Sequence, residues 1–332
     1  MKKEDAQNRM NSLGQKGLPF LFVLNYNLSD CFVMLLSDIQ PFEILYNFQG
    51  KTNETNIPDL PHNIDFSKTP ISFEEYQKKF NIVFQHIQHG NSYLTNLTQP
   101  TPVHTNLTLH QLYFAGEAKY KLYFNHQFAV FSPEPFVKIS NGRIYSYPMK
   151  GTIDADLENA ADILKNDFKE KAEHNTIVDL IRNDVSMVAE NVTVKRFQYI
   201  EKISTNYKNL LQMSSEICGD LPDDYLNHLG DIVFKLLPAG SITGAPKEKT
   251  CEIIHEAEGY ERGFFTGVFG IFDGTTLESA VMIRFFENTP DGLIYKSGGG
   301  ITCFSQAEKE YQELIDKVYI PLRGSISQNK DS

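Results

Sequence analysis

Two early runs are apolar at almost every position: Leu18-Pro19-Phe20-Leu21-Phe22-Val23-Leu24 and Cys31-Phe32-Val33-Met34-Leu35-Leu36. A polar segment of Asn, Ser and Asp separates them, which predicts two strands around a turn. Residues 50–70 are polar and rich in Pro, Asn and Asp, the signature of a long loop. The period then changes. Tyr76, Phe80, Val83, Phe84 and Ile87 recur at helical spacing between Phe73 and Gln88, and Gly90 supplies the C-terminal stop.

Residues 120–147 read as strands again. Phe136-Val137-Lys138-Ile139-Ser140 and Arg143-Ile144-Tyr145-Ser146-Tyr147 flank Asn141-Gly142, the pair favoured in type I′ hairpins. Asp273-Gly274 and Asp291-Gly292, each beside an apolar run, predict two further turns of this kind. Successive hairpins of this sort build an antiparallel meander, not a βαβ series. Helical periods cover residues 157–188, 223–237, 247–258 and 307–320. No linker, repeat or low-complexity tract interrupts them. The expected organisation is one α+β domain over residues 18–322, with residues 1–17 as an N-terminal extension and 323–332 as a polar C-terminal tail.

Composition narrows the class. Of 332 residues, 41% are hydrophobic and 22% charged, which suits a globular chain with a large core and excludes a disordered one. Lys+Arg 31 against Asp+Glu 42 gives −11, which argues against nucleic-acid binding by bulk charge. An anionic ligand would therefore need local cations, a metal ion or oriented N–H groups. Cys31, Cys218, Cys251 and Cys303 are scattered without a C-x-x-C pair, as expected of reduced thiols. The N-terminus lacks the apolar core of a signal peptide, and the run at Leu18 is too short to cross a bilayer. A cytoplasmic protein without membrane or nucleic-acid partners is expected.

Four constellations could carry chemistry. Pro148-Met149-Lys150-Gly151-Thr152 offers Lys150 at a strand end, either as a solvated turn lysine or as a nucleophilic amine. The nucleophile would need partial burial or a neighbouring cation. Gly240-Ser241-Ile242-Thr243-Gly244-Ala245-Pro246-Lys247 superficially resembles a Walker A loop, but Ala245 and Pro246 occupy the positions of its second glycine and its lysine. What remains is a tight connection or a set of N–H groups at a helix start, suited to a carboxylate. Gly298-Gly299-Gly300 is either a hinge or a close backbone approach to an anion. Glu310 edges the apolar stripe of the last helix, while Glu313 points away with Lys317 four residues on, the pattern of a solvated ion pair. Glu173 shares a half-buried face with Ile177, Leu180 and Asp184, and one carboxylate from each helix could serve Mg²⁺.

Taken in order, these segments resemble the chorismate-utilising enzymes, most closely the aminodeoxychorismate synthase component I branch. The matching segments begin with Ser132-Pro133-Glu134, the Lys150 segment, Lys169-Glu170-Lys171-Ala172-Glu173 and Val178-Asp179-Leu180-Ile181-Arg182-Asn183-Asp184. The Gly240 to Lys247 segment, Arg262-Gly263, Ile283-Arg284, Gly298-Gly299-Gly300-Ile301 and Glu310-Tyr311-Gln312-Glu313 follow. The resemblance implies a fold of packed antiparallel sheets, a β-sandwich core with helices outside. It implies Glu173 and Glu313 as Mg²⁺ ligands with Glu310 close by, and Arg284 with the Gly298, Gly299 and Gly300 amides on the enolpyruvyl carboxylate. Thr152, Thr243, Gly244 and Lys247 are implied as further substrate-binding residues.

Lys150 separates branches of that family: enzymes similar to anthranilate synthase usually carry alanine there, the aminodeoxychorismate enzymes lysine. The implied chemistry has Lys150 attack the chorismate ring, with Glu134 as general acid/base and ammonia from a separate glutamine amidotransferase subunit. Phe265, Phe285 and Phe304 depart from the family pattern, standing where a Tyr or Trp, a small polar residue and an acid are usual. Anthranilate synthase, isochorismate or salicylate synthase, and a non-catalytic binding protein of the same fold remain the alternatives.

Overall fold

A computed structural model describes residues 1–204 and 209–323; of the tail expected over 323–332, all but residue 323 lies outside the described residues. The chain forms two compact units. The first takes Met1–Ser37, Pro135–Thr243 and Gly267–Val281, the second Asp38–Glu134, Gly244–Thr266 and Met282–Ser332. Each is built on one antiparallel sheet of nine strands, so the α+β class read from the meander holds.

In the first unit the sheet runs Met149–Asp154, Asn209–Asp220, Arg143–Ser146, Pro135–Ser140, Leu277–Val281, Val268–Phe272, Phe20–Leu24 and Cys31–Leu35. Glu190–Ser204 also pairs with Asn209–Asp220. Phe20–Leu24, Val268–Phe272 and Leu277–Val281 are buried at all five positions. Covering on both faces explains why Phe20–Leu24 and Val268–Phe272 read as unbroken apolar runs rather than alternating ones, whereas Leu277–Val281 also buries Glu278 and Ser279.

Asn141 and Gly142 adopt φ of 54° and 70°, the left-handed pair a type I′ turn requires. The other two turns differ from expectation. Asp273 opens a four-residue loop in which its Oδ1 accepts the N–H groups of Thr275 and Thr276, at 3.0 and 2.8 Å. The turn before Gly292 is Pro290-Asp291, and proline cannot take the positive φ of a type I′ position.

Residues 157–188 do not make one helix. The chain forms Ala160–Asn166 and Phe168–Ser186, and Asp167 caps the second by accepting the Glu170 N–H at 2.9 Å. Residues 1–17 hold the helix Lys3–Gln15, which buries Ala6, Met10 and Leu13. A Cβ on Gly230 would come within 2.2 Å of Gln7 O, so only glycine permits that approach.

The second unit's sheet runs Gly244–Ala245, Leu94–Thr105, Gly292–Ile301, Phe285–Thr289, Phe128–Ser132, Tyr120–Phe124, Ile44–Phe48 and Lys51–Thr52, with Phe66–Lys68 also on Leu94–Thr105. The predicted helix Phe73–Gln88 forms at those residues, started by a Ser72–Glu75 capping box. It packs with Ala307–Asp316 over a cluster that includes Tyr76, Phe80, Val83, Leu97 and Leu314. Among the described residues no helix is long and apolar enough to cross a membrane.

Candidate active site

Lys150 is the second residue of Met149–Asp154, opposite Met213, and Gly151 after it sits in a bulge at φ +77°. A Cβ there would meet Glu170 Oε2 at 2.9 Å and Leu164 Cδ1 at 3.0 Å. The Lys150 side chain is 25% exposed and its Nζ lies 3.2 Å from Glu173 Oε2, a carboxylate only 7% exposed. Partial burial matches the expectation. The contact to Glu173 is instead anionic, so in this state Lys150 acts as a counter-ion.

Glu173 belongs to Phe168–Ser186 and is more deeply buried than the half-buried face predicted. Its neighbour His174 is fully buried, with Nε2 2.6 Å from Ser215 Oγ. Ser215 also receives the Gln198 N–H at 3.0 Å, and its own N–H reaches Pro148 O at 3.0 Å. His174 therefore links the Glu173 helix to the strand partner of Lys150. Burial first, and the Lys150 charge second, push the His174 imidazole down to about 4. No sequence spacing announces a pair 41 residues apart.

Gly240–Thr243 is one short helical turn on the same helix: a Cβ on Gly240 would meet Leu180 Cδ2 at 2.8 Å. Thr243 is fully buried, and among the described residues its hydroxyl has no hydrogen-bond partner. Such an orphan oxygen in a native fold calls for an explanation. Thr152 is exposed on the far side of the bulge.

In the second unit the three glycines are neither a loop nor a hinge. They lie inside Gly292–Ile301, opposite Thr98, Leu97 and Asn96. A Cβ on Gly298 would come 2.4 Å from Leu97 O, so close backbone packing demands the glycine. Strand geometry also forbids three successive N–H groups from facing one ligand, because alternate residues face opposite sides. Lys296↔Phe285 is the last pair with the neighbouring strand, and by alternation Gly298 and Gly300 turn their polar groups to that vacated edge. Lys317 Nζ accordingly donates to Gly298 O at 2.8 Å.

Arg284 immediately precedes that last pair. It holds a left-handed backbone at φ 54°, and its carbonyl accepts the Phe131 N–H at 3.2 Å. Its guanidinium lies 5.2 Å from the Tyr319 ring centre. Burial works against this charge, but Tyr295, Tyr319 and Glu313 outweigh it and hold the guanidinium above its ordinary range.

Glu310 is 4% exposed, whereas the Glu313 side chain is 50% exposed and pairs with Lys317 at 2.6 Å, as the helical spacing predicts. The place a Gly299 Cβ would occupy is 3.6 Å from both Glu310 Oε2 and Glu313 Oε1. Tyr76 is driven above its ordinary range by burial and by these two carboxylates. Among the described residues no group of three or more His, Cys, Asp or Glu is arranged to hold a metal ion. Glu310 and Glu313 nevertheless offer two hard oxygens within 3.6 Å of one point beside Gly299, donor chemistry that suits Mg²⁺.

Gly244, at φ +123°, pairs with Thr95, and a Cβ there would overlap Leu94 O. Lys247 is the first residue of Lys247–Glu258. Glu134 follows Phe128–Ser132, with its N–H 3.1 Å from Ser132 Oγ. Two of the departures explain each other: Phe265 and Phe285 are 2% and 0% exposed, with ring centres 5.9 Å apart. Phe304 is 51% exposed.

Residues 35–323 match the family of chorismate binding enzymes. The chain belongs to that family. A PabA-like protein of Pasteurella multocida is 48% identical over 313 residues, 94% of this chain and 97% of that protein. Aminodeoxychorismate synthase component 1 of Salmonella typhimurium is 34% identical over 259 residues, 74% of this chain and 56% of that relative. Among solved structures, the menaquinone-specific isochorismate synthase of Escherichia coli matches with TM-score 0.74 at 15% identity, covering 95% of this chain and 81% of that one. At that identity the likeness is one of fold. The expected family and fold class both stand, and this member of the chorismate-binding family is a chorismate-utilising enzyme.

Proposed function

We propose that this enzyme is an aminodeoxychorismate synthase component I, converting chorismate and ammonia to 4-amino-4-deoxychorismate on the route to p-aminobenzoate and folate. The observation that carries this is Lys150, an amine on a bulged strand at a position where anthranilate-forming relatives are expected to lack one. The relationship to the Salmonella typhimurium enzyme supports it.

In the proposed reaction the Lys150 nitrogen forms a bond to ring C2, the ring double bond shifts, and the C4–O bond breaks. Glu134 delivers the proton that lets the hydroxyl leave as water. Ammonia then bonds to C4 and sheds one proton, which restores the one Glu134 gave up, while the double bond shifts back, the C2–N bond breaks and Lys150 is restored. Arg284 and the N–H groups of Gly298 and Gly300 would hold the enolpyruvyl carboxylate. The orphan Thr243 hydroxyl, with Thr152, Gly244 and Lys247, completes the substrate contacts. Glu310 and Glu313 are the carboxylates that would hold Mg²⁺, which when bound would supply charge stabilisation for the dianionic substrate.

Ammonia would come from a glutamine amidotransferase partner, and the cytoplasm is the compartment this chemistry fits. Purified protein given glutamine should turn over no chorismate, whereas ammonium at raised pH should support turnover. The covalent step is tested by quenching the enzyme with chorismate and Mg²⁺ but no ammonia, then mapping peptides by mass spectrometry. A chorismate-derived adduct on the Lys150 peptide is expected. Near-normal turnover by Lys150→Arg, whose guanidinium cannot be deprotonated, would remove the nucleophile role.

A further inference from the structure

We propose that Tyr319 is a positioning residue for Arg284, its ring holding the guanidinium in place for the substrate carboxylate. This rests on the carboxylate role proposed above for Arg284 and adds the residue that sets its aim.

A long, flexible arginine that is ordered only when its ligand arrives gives up part of each contact as lost rotamer freedom. Arg284 is ordered beforehand, from both ends. Its backbone holds φ 54°, a conformation that costs energy in any residue with a Cβ, and its carbonyl accepts the Phe131 N–H at 3.2 Å. Strain of this kind persists only where the surroundings over-determine it, and it concentrates at ligand clamps. At the other end the guanidinium lies over the Tyr319 ring, 5.2 Å from its centre and inside the range of a cation–π attraction. Nη1 also donates to Lys317 O at 3.5 Å, a long bond that leaves the ring as the principal hold.

The ring is itself anchored. Tyr319 follows the helix Ala307–Asp316 and sits between Val318 and Ile320, both buried in the apolar cluster that also holds Phe131. One cluster thus fixes the backbone clamp and the ring together. Tyr295 also bears on the guanidinium charge, but its ring is fully buried and meets Phe286 edge-on at 4.7 Å. Tyr319 and Arg284 are both half-buried, so this pair is the one that can border a ligand. Attraction to a ring face uses the charge and occupies none of the N–H donors, which leaves the fork for bidentate contact with a carboxylate.

The test is the affinity for chorismate, read by titration calorimetry with Mg²⁺ present and ammonium absent. It compares wild type, Tyr319→Phe, Tyr319→Leu, Arg284→Gln and the double variant of the last two. Tyr319→Phe keeps the ring and should stay within about twofold of wild type, whereas Tyr319→Leu should bind about fivefold more weakly. On the Arg284→Gln background Tyr319→Leu should add no further loss, which a merely structural role could not reproduce. With ammonium supplied, Tyr319→Leu should raise the KM for chorismate and leave kcat within about twofold. Tyr319→Met replaces the leucine variant if circular dichroism shows that it does not fold. Unchanged affinity in the folded variant would overturn the proposal, as would losses that add in the double variant. If Arg284→Gln binds as wild type does, the carboxylate role of Arg284 fails and this inference with it. If Arg284→Gln binds weakly but Tyr319→Leu does not, only this inference fails, and anthranilate as the product would refute only the proposed reaction.

Discussion

Arg262 and Glu258 are joined by two hydrogen bonds, Nε to Oε2 at 2.8 Å and Nη2 to Oε1 at 2.6 Å, with both side chains buried. Glu258 Oε1 also accepts the N–H and hydroxyl of Thr98 at 2.8 and 2.7 Å, and Arg262 Nη2 reaches Asn96 O at 2.7 Å. Asn96 and Thr98 are the strand partners of Gly300 and Gly298. The Arg262-Gly263 motif therefore braces the strand behind the glycine run.

Removing one partner of such a buried pair strands the other charge, so Arg262→Ala should cost about 3–5 kcal/mol of stability. Urea unfolding measures it. A loss under about 1 kcal/mol, the scale of an exposed pair, would show that the bridge is not holding the strand.

Phe265→Tyr would restore a residue usual in relatives of this family. Phe265 is packed on Phe285 and nearly inaccessible, so the added hydroxyl has no solvent to reach. The variant should lose about 1–3 kcal/mol of stability through an unsatisfied buried hydroxyl, with no improvement in the KM for chorismate. A lower KM at unchanged stability would mean that the position faces substrate.

His174 gives the fold a pH dependence. Its folded pKa of about 4 lies below the ordinary histidine value, so between them the unfolded chain binds more protons than the folded one. Neutral His174 thus contributes fully above about pH 6.5, and that contribution is lost as pH falls toward 4. Urea midpoints of the metal-free protein should fall over this window, and His174→Gln should flatten the fall. An equal slope in the variant would assign the effect to other groups.

The meander, the helices at Phe73–Gln88 and Lys247–Glu258 and the Asn141-Gly142 hairpin were legible because each carries a local signal of period, cap or turn. The helix Lys3–Gln15 and the long strands Leu94–Thr105 and Asn209–Asp220 were not, since their polar positions are satisfied by distant partners. Gln7 and Asn11, for example, both donate to Asp231 Oδ1, at 2.7 and 2.9 Å. The Glu313–Lys317 pair follows from helical spacing alone. Lys150–Glu173 and His174–Ser215 depend on strand and helix packing that no local pattern encodes.

The most direct measurement is the mass and chromatographic identity of the product from chorismate, ammonium and Mg²⁺. The account predicts 4-amino-4-deoxychorismate from the wild type, with most of it lost in Lys150→Ala. Anthranilate, or isochorismate formed without any need for ammonium, would contradict it.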